Sequence, residues 1–286
     1  MPIVGWRNAY TGRTCDVDDY AAMAKVMPAF MLKALVDAER EDVRHSGTLL
    51  SVTNGLGCAR EVVITRFMPC KPDPQKLWRQ QGGTYLHEKA AALAAYDMGW
   101  VTEHNGGAEE CVVVGELLGR VVSGKRDAFK RDFSKLRDYK FSFSGGDKFV
   151  DATRVAEPHH AAQLNALRLL TERAVERECF RGDGGMEAWV VGGTWQPTYA
   201  PLMSEAQVAE TEVGSTKVGA SGWKYGVLLE QHAKAYERIE RGDKAEDVAK
   251  ALPLVGLTMW RSRKGECSCT AHCPVKRECD ALAGGM

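Results

Sequence analysis

The first third of the chain contains two stretches in which apolar residues recur at helical spacing. Between residues 16 and 44, apolar side chains from Tyr20 to Leu35 predict an amphipathic helix with an acidic end. An alanine-rich run over residues 84–98 predicts a second helix, with His87 in its first turn. A loop punctuated by prolines precedes this second stretch and separates it from the segment before it.

The apolar pattern changes to that of strands after residue 110. Turn residues separate four short apolar runs, which predict consecutive strands. These strands are expected at residues 111–114, 117–122, 127–129 and 136–143. Further along, residues 158–178 predict a helix, residues 186–194 predict a strand, and residues 223–251 predict a long charged helix. Because helices alternate with strands, the order predicts an α/β fold with a mixed central sheet.

The composition is that of an ordinary globular protein. Of the 286 residues, 44% are hydrophobic and 27% are charged, and the longest apolar runs are far shorter than the roughly 20 residues that span a bilayer. We therefore expect neither a disordered chain nor an integral membrane protein. The N-terminus has no pattern of a secretory signal, so we expect a cytoplasmic location. Basic and acidic residues are equal at 38 each, so a site for a polyanion has to be a local patch.

Cysteines are unevenly distributed along the chain. Four of the nine crowd the C-terminus, at Cys267, Cys269, Cys273 and Cys279, and Cys58 lies far upstream in a glycine-rich segment. In a reducing compartment such crowding favours metal ligation over disulfides. Four thiolates suit either a tetrahedral zinc ion or an iron–sulfur cluster, and the spacing leaves both open. The ligands would be Cys58 with three C-terminal cysteines, or the four C-terminal cysteines alone.

Two aspartates on consecutive predicted strands form the most informative pattern. If the strands that carry Asp127 and Asp138 pair as a hairpin, both carboxylates point at one spot and form a site for a hard cation. Lys140 follows Asp138 by two residues, which on a strand places both side chains on the same face. His87 is a candidate imidazole ligand for the same cation. A cation beside an ammonium group can activate water and neutralise a phosphodiester, so this pattern predicts phosphodiester hydrolysis.

The same segment is locally basic. Between Arg120 and Lys140, eight basic residues stand against three acidic ones, which is a local net charge of +5. Basic side chains that contact phosphates give binding that depends on salt and little on base sequence. We therefore expect this segment to favour DNA as the substrate.

Several short motifs occur in the order in which one nuclease family carries them. They are Ser51 to Arg60, which contains Cys58, Gly83 to Glu88, Gly124 to Asp127, Asp138 to Lys140, and Cys269 to Cys279. In this order the chain resembles the RecB-like branch of the PD-(D/E)XK nucleases, especially the single-domain exonucleases of CRISPR adaptation modules and phages. Gln163 matches the glutamine of a further family motif, in which Leu167 replaces an aromatic residue, and the first gap of the cysteine cluster is one residue longer than usual.

The resemblance implies a fold and a domain organisation. Residues 49–286 would form a restriction-endonuclease-like core with a mixed central sheet flanked by helices. A four-cysteine subdomain would close this core, with a 4Fe-4S cluster held by the cysteines at 58, 269, 273 and 279, although Cys267 competes with Cys269. Residues 1–48 would be a helical extension outside the core, available to a protein partner or to a second copy of the chain.

The resemblance also implies roles for the site residues. A Mn²⁺ or Mg²⁺ ion would be held by His87, Asp127, Asp138 and the backbone carbonyl of Tyr139. Lys140 would be the catalytic lysine. Gln163 would contact DNA or order the active site. The expected activity is a metal-dependent DNA exonuclease that acts on single strands or duplex ends, and the alternative is a catalytically silent DNA-binding or assembly protein that keeps the fold and the cluster.

Overall fold

The structure is a computed structural model, and it places most of the 286 residues. It describes residues 3–7, 13–23, 27–41, 50–71, 74–96, 99–141, 155–191, 195–213, 222–253, 255 and 275–283. The chain forms two compact units. One consists of Met1–Thr48, Gly57–Gly82 and Gln231–Met286, and the other of Leu49–Leu56 and Gly83–Glu230. The chain passes from the first unit to the second after Thr48, which is the expected boundary. The division into an extension and a nuclease domain stays a prediction.

Helices and strands alternate through the described residues. The strands are β1 Gly5–Arg7, β2 Thr14–Asp16, β3 Leu50–Ser51, β4 Trp100–Val101, β5 Val112–Leu117, β6 Arg120–Lys125, β7 Ala128–Lys130, β8 Leu136–Phe141, β9 Met186–Val191 and β10 Trp195–Tyr199. The helices are α1 Tyr20–Met23, α2 Ala29–Glu41, α3 Ala59–Phe67, α4 Pro74–Ala95, α5 Gly107–Cys111, α6 Pro158–Val175, α7 Glu205–Glu210, α8 Tyr225–Glu240, α9 Ala245–Ala251 and α10 Lys276–Ala283. None of these helices has the length and apolar composition needed to span a membrane.

The second unit contains two mixed sheets. The larger has the strand order β10-β9-β8-β7-β4, in which β8 and β9 run parallel and the other neighbours run antiparallel. The smaller has the order β3-β6-β5, in which β3 and β6 run parallel. Helix α6 packs against strands of both sheets, and its segment from Ala161 to Arg168 is buried. The expected α/β class with mixed sheets flanked by helices is confirmed.

Two helix predictions were wrong at their boundaries. The expected helix over residues 16–44 is divided, because α2 begins just after Pro28, which has no amide hydrogen for a helical hydrogen bond. The helix expected to begin at residue 84 begins instead at Pro74, so His87 lies in the middle of α4 and not in its first turn. Proline suits the first turn of a helix, and the burial of Leu77 in an apolar cluster of the first unit stabilises the early turns despite the glycines that follow.

The C-terminal half differs from the sequence prediction in two further places. The helix expected over residues 223–251 ends at Glu240, and Gly242 adopts the left-handed conformation with a φ of +92°, which commonly terminates helices. The sequence predicted neither a helix nor a strand between residues 194 and 223, but this segment contains β10, which pairs with β9, and α7. Ser204 and Gln207 cap α7 reciprocally, a local signal that the sequence does carry.

Gly124 on β6 allows α6 to approach the smaller sheet closely. A Cβ atom at Gly124 would lie 2.4 Å from Cδ2 of Leu167 and 3.3 Å from Cγ1 of Val52. We expect Gly124→Ala to lower the free energy of unfolding by about 1–3 kcal/mol, because the buried Leu167 cannot easily shift. The matched control is Gly182→Ala, whose new methyl group would meet no atom within 4 Å. Urea unfolding measures both variants, and equal stabilities would contradict this packing.

His232 on α8 gives the first unit a pH-dependent stability. Its Nε2 lies 3.3 Å from the carbonyl oxygen of Gly57, and burial lowers its pKa from 6.5 to about 4. Between about pH 4 and pH 6.5, the imidazole of His232 is protonated in the unfolded chain but not in the folded chain. The free energy of unfolding is therefore expected to fall as the pH drops from about 6.5 to about 4, by at most about 1.4 kcal/mol per pH unit.

The measurement for His232 is urea unfolding between pH 7 and pH 4.5. His232→Leu is expected to flatten the decline in stability at the acidic end, because the variant has no buried imidazole to protonate. His104→Leu, at an exposed position, is the control and should keep the wild-type slope. Parallel slopes for the wild type and His232→Leu would exclude His232 as the source.

Candidate active site

The predicted hairpin is present and carries both aspartates. Strands β7 and β8 pair antiparallel, with Ala128 opposite Arg137. Asp127 immediately precedes β7, and Asp138 lies in β8, so the same register places these two residues across from each other. All six predicted residues of the hydrolytic site, at positions 87, 127, 138, 139, 140 and 163, belong to the second unit.

Asp127 is held by two partners that the sequence does not bring together. Its Oδ2 accepts a hydrogen bond from the backbone N–H of Tyr139 at 2.9 Å and lies 3.1 Å from Nδ1 of His87. The rings of His87 and Tyr139 meet edge to face. Burial opposes the charge of Asp127, but the His87 side chain and the Tyr139 amide together hold the pKa of Asp127 below its usual value. Asp127 is therefore ionised at neutral pH.

Asp138, Lys140 and Gln163 form a second, closed group. The Nζ of Lys140 lies 2.7 Å from Oδ2 of Asp138 and donates a hydrogen bond to Oε1 of Gln163 at 2.7 Å. The Nε2 of Gln163 in turn donates to Oδ1 of Asp138 at 3.4 Å. Asp138 and Lys140 share one face of β8 because side chains alternate along a strand, and α6 presents Gln163 to that face.

The carboxylate of Asp138 is buried and already has a positive partner. Its Oδ2 lies 2.7 Å from the Nζ of Lys140, which is its charged partner among the described residues. Burial raises the pKa of Asp138, the Lys140 charge opposes this rise, and the Asp127 carboxylate adds to it. A carboxylate oxygen can accept several donors or bind a cation, so the Asp138 carboxylate is a candidate ligand for a cation that replaces the ammonium.

The donor atoms fit Mn²⁺ or Mg²⁺ chemically, but they are arranged as two neighbouring groups. Carboxylate oxygens with one imidazole are suitable ligands for these ions. Across the described ranges, no three His, Cys, Asp or Glu side chains are assembled as a metal site. His87 holds Asp127, and Lys140 holds Asp138. Binding of a cation between the two aspartates therefore requires the Lys140 ammonium to leave Oδ2.

On the face of β8 opposite Asp138, Arg137 makes contacts that the sequence did not predict. The guanidinium of Arg137 lies between the rings of Trp100, at 4.0 Å, and Trp189, at 4.5 Å, and pairs with Glu187 at 2.9 Å. Alternation along β8 places Arg137 on the face opposite Asp138. These contacts fix the strand from behind, but their partners are distant in sequence and left no local signal.

Most of the basic residues of the hairpin region are paired within the second unit. Four glutamates that are distant in sequence pair with five of them, and Glu187 is shared by two. The pairs are Arg120–Glu230, Lys125–Glu103, Arg131–Glu110, Lys135–Glu187 and Arg137–Glu187. The local net charge of +5 therefore overstates the field near the site, and the preference for a polyanion depends mainly on the site itself.

The structure places two of the proposed cluster cysteines. Cys58 immediately precedes α3 and Cys279 lies in α10, and both are buried in the first unit. The Arg60 guanidinium donates a hydrogen bond to the carbonyl oxygen of Cys279 at 3.3 Å, which joins the two segments. Burial raises the pKa of the Cys58 thiol. Cys267, Cys269 and Cys273 lie outside the described residues.

Comparisons with known proteins give little further guidance. No family model matches the chain, and no curated protein matches it. Among solved structures, the crystal structure of SSO0001 is similar with a TM-score of 0.41 and 16% sequence identity. This similarity covers 63% of this chain and 80% of that chain. A likeness of this strength does not establish a shared fold or function.

Proposed function

We propose that the protein is a metal-dependent DNA exonuclease that hydrolyses phosphodiester bonds of single strands or of duplex ends. The observation that supports this most is the buried Oδ2 of Asp138, which lies across the hairpin from the ionised Asp127 and beside Lys140. A purely structural ion pair has no need of a second carboxylate and an imidazole at the same place. A restriction-endonuclease-like PD-(D/E)XK core within residues 49–286 is part of the proposal.

Each residue has a defined part in this reaction. His87, Asp127 and Asp138, with the carbonyl of Tyr139, would hold Mn²⁺ or Mg²⁺. When bound, such an ion neutralises the scissile phosphate and lowers the pKa of a bound water. Lys140, released from Asp138, would place its ammonium against the negative charge that develops on the phosphate. Gln163 contacts Lys140 and keeps the ammonium at the site.

A 4Fe-4S cluster held by four cysteines, at positions 58, 269, 273 and 279, completes the proposal. The burial of Cys58 and Cys279 in one unit supports it. We expect anaerobically purified protein to be brown and to contain iron without zinc, and Cys279→Ser to lose the colour. A colourless protein that contains zinc would favour the alternative four-thiolate zinc site.

The test compares linear single-stranded, circular single-stranded and linear duplex DNA of equal length, each with Mn²⁺, Mg²⁺ or EDTA. The expected result is metal-dependent degradation of linear substrates with circular DNA left intact, because an exonuclease needs an end. Degradation of the circle would make the enzyme an endonuclease. A folded protein that binds DNA but cleaves none of the substrates would replace the proposed function with a DNA-binding role.

A further inference from the structure

His160 is placed beside the candidate active site by the helix that carries Gln163. It lies in the first turn of α6, three residues before Gln163, and residues at this spacing share a helix face. Gln163 uses that face to contact Lys140 and Asp138. The charge of Lys140 also reaches His160: burial, with Lys140 and His159 adding to it, lowers the pKa of His160 well below its usual value. The imidazole is therefore neutral at physiological pH.

The side chain of His160 has hydrogen-bonding capacity that none of the described residues uses. It is half-buried, and its ring centroid lies 4.1 Å from that of His159, with the two ring planes tilted by 51°. Among the residues that the structure places, no hydrogen bond or ion pair of the His160 side chain is found, whereas His159 lies 3.6 Å from a carboxylate oxygen of Glu157. A neutral imidazole always carries one N–H donor. This donor lies on the same helix face as Gln163, whose Oε1 contacts Lys140.

We propose that His160 is a substrate-binding residue whose ring N–H donates a hydrogen bond to a phosphate oxygen of the bound DNA strand, next to Lys140. The inference depends on the proposed function, because the ligand is the phosphate backbone of the same substrate. Lys140 attracts the phosphate, and His160 fixes its orientation. A hydrogen bond to a charged group contributes more than one between neutral groups, so loss of the donor should weaken binding more than it slows chemistry.

The test measures the affinity for a fluorescent single-stranded oligonucleotide in Ca²⁺, and the KM and kcat for its cleavage in Mn²⁺. His160→Phe keeps a flat ring but removes the donor, and it is expected to raise Kd and KM about 10-fold with kcat within about 2-fold. His160→Gln supplies an amide donor and should recover most of the affinity. His159→Ala is the neighbouring control and should bind like the wild type.

Three results would overturn the role of His160. One is a His160→Phe affinity within 2-fold of the wild type. Another is a loss of affinity that His160→Gln does not restore, accompanied by a lower urea midpoint, which would indicate packing. The third is equal loss in His159→Ala. If the wild type binds the oligonucleotide without cleaving it, the proposed exonuclease fails, while the ratio of affinities still decides the role of His160.

Discussion

Replacing Lys140 with alanine is expected to slow DNA cleavage by about 10²–10³-fold at saturating DNA. An ammonium that is aimed at developing negative charge in a water-poor site contributes on this scale. The side chain is largely buried and is held by Gln163 and Asp138, so a lysine elsewhere cannot substitute for it. The measurement is the single-turnover rate in Mn²⁺, with DNA affinity in Ca²⁺ expected to change only a few-fold.

Lys125→Ala is the matched control for Lys140→Ala. Lys125 lies in the same basic region, on β6, but it is exposed and pairs with the exposed Glu103. Exposed ion pairs contribute little, so Lys125→Ala should cleave within about 3-fold of the wild-type rate. Equal effects of the two substitutions would show that Lys140 acts only through the general positive charge of the region, and the assignment of a catalytic lysine would be wrong.

Asp138→Asn is expected to weaken Mn²⁺ binding by about 10²-fold and to lower cleavage by at least as much. Asparagine keeps the shape of the side chain but removes the buried anionic oxygen that faces the site, and a metal-bound anionic ligand is worth several kcal/mol. The free energy of unfolding should also fall, because the largely buried Lys140 ammonium loses its charged partner. Titration calorimetry with Mn²⁺ and urea unfolding measure the two effects.

Asp132→Asn is the control for this substitution. Asp132 lies in the exposed loop between β7 and β8, where its Oδ1 accepts hydrogen bonds from the backbone N–H and the hydroxyl of Ser134. Its substitution should leave Mn²⁺ affinity unchanged. If Asp138→Asn binds Mn²⁺ as tightly as the wild type does, the buried carboxylate is a structural partner of Lys140 and not a metal ligand.

The Lys140 ammonium and a divalent cation would compete for the carboxylate of Asp138. The Lys140 ammonium neutralises Asp138 in the structure, and the His87 ring contacts Asp127. A divalent cation would displace the Lys140 ammonium from Asp138 and bring the two aspartates into one coordination sphere. This competition predicts that metal affinity rises when the Lys140 charge is removed, even though cleavage is lost, because Asp138 is then available without displacing an ammonium.

Local signals in the sequence predicted the elements that form the site. Helix α6 was expected over residues 158–178 and spans Pro158–Val175. The proline at its start, its strong helix formers and its buried face all favour a helix in this segment. The period of two residues along a strand placed Asp138 and Lys140 on one face of β8. The turn residues between β7 and β8 predicted the hairpin that sets Asp127 opposite. In each case one short segment contains the whole signal.

Features that depend on distant residues were not predictable in this way. The early start of α4 depends on the burial of Leu77 and not on the residues around His87. The glutamates that neutralise the basic hairpin, such as Glu187 and Glu230, are distant in the chain, so a local count of charges missed them. His160 also gave no signal, because the approach of its helix face to the site depends on how α6 packs across β8.

The position of Mn²⁺ in a crystal of the wild-type protein is the most direct test of the proposed site. Anomalous scattering at the manganese edge locates the ion without reference to activity. We predict a peak bound by Asp127 and Asp138 with the His87 imidazole, and a Lys140 ammonium that has moved away from Asp138. An enzyme that cleaves DNA while its Mn²⁺ lies elsewhere, with the Lys140–Asp138 pair intact, would contradict the assignment of this hairpin as the hydrolytic centre.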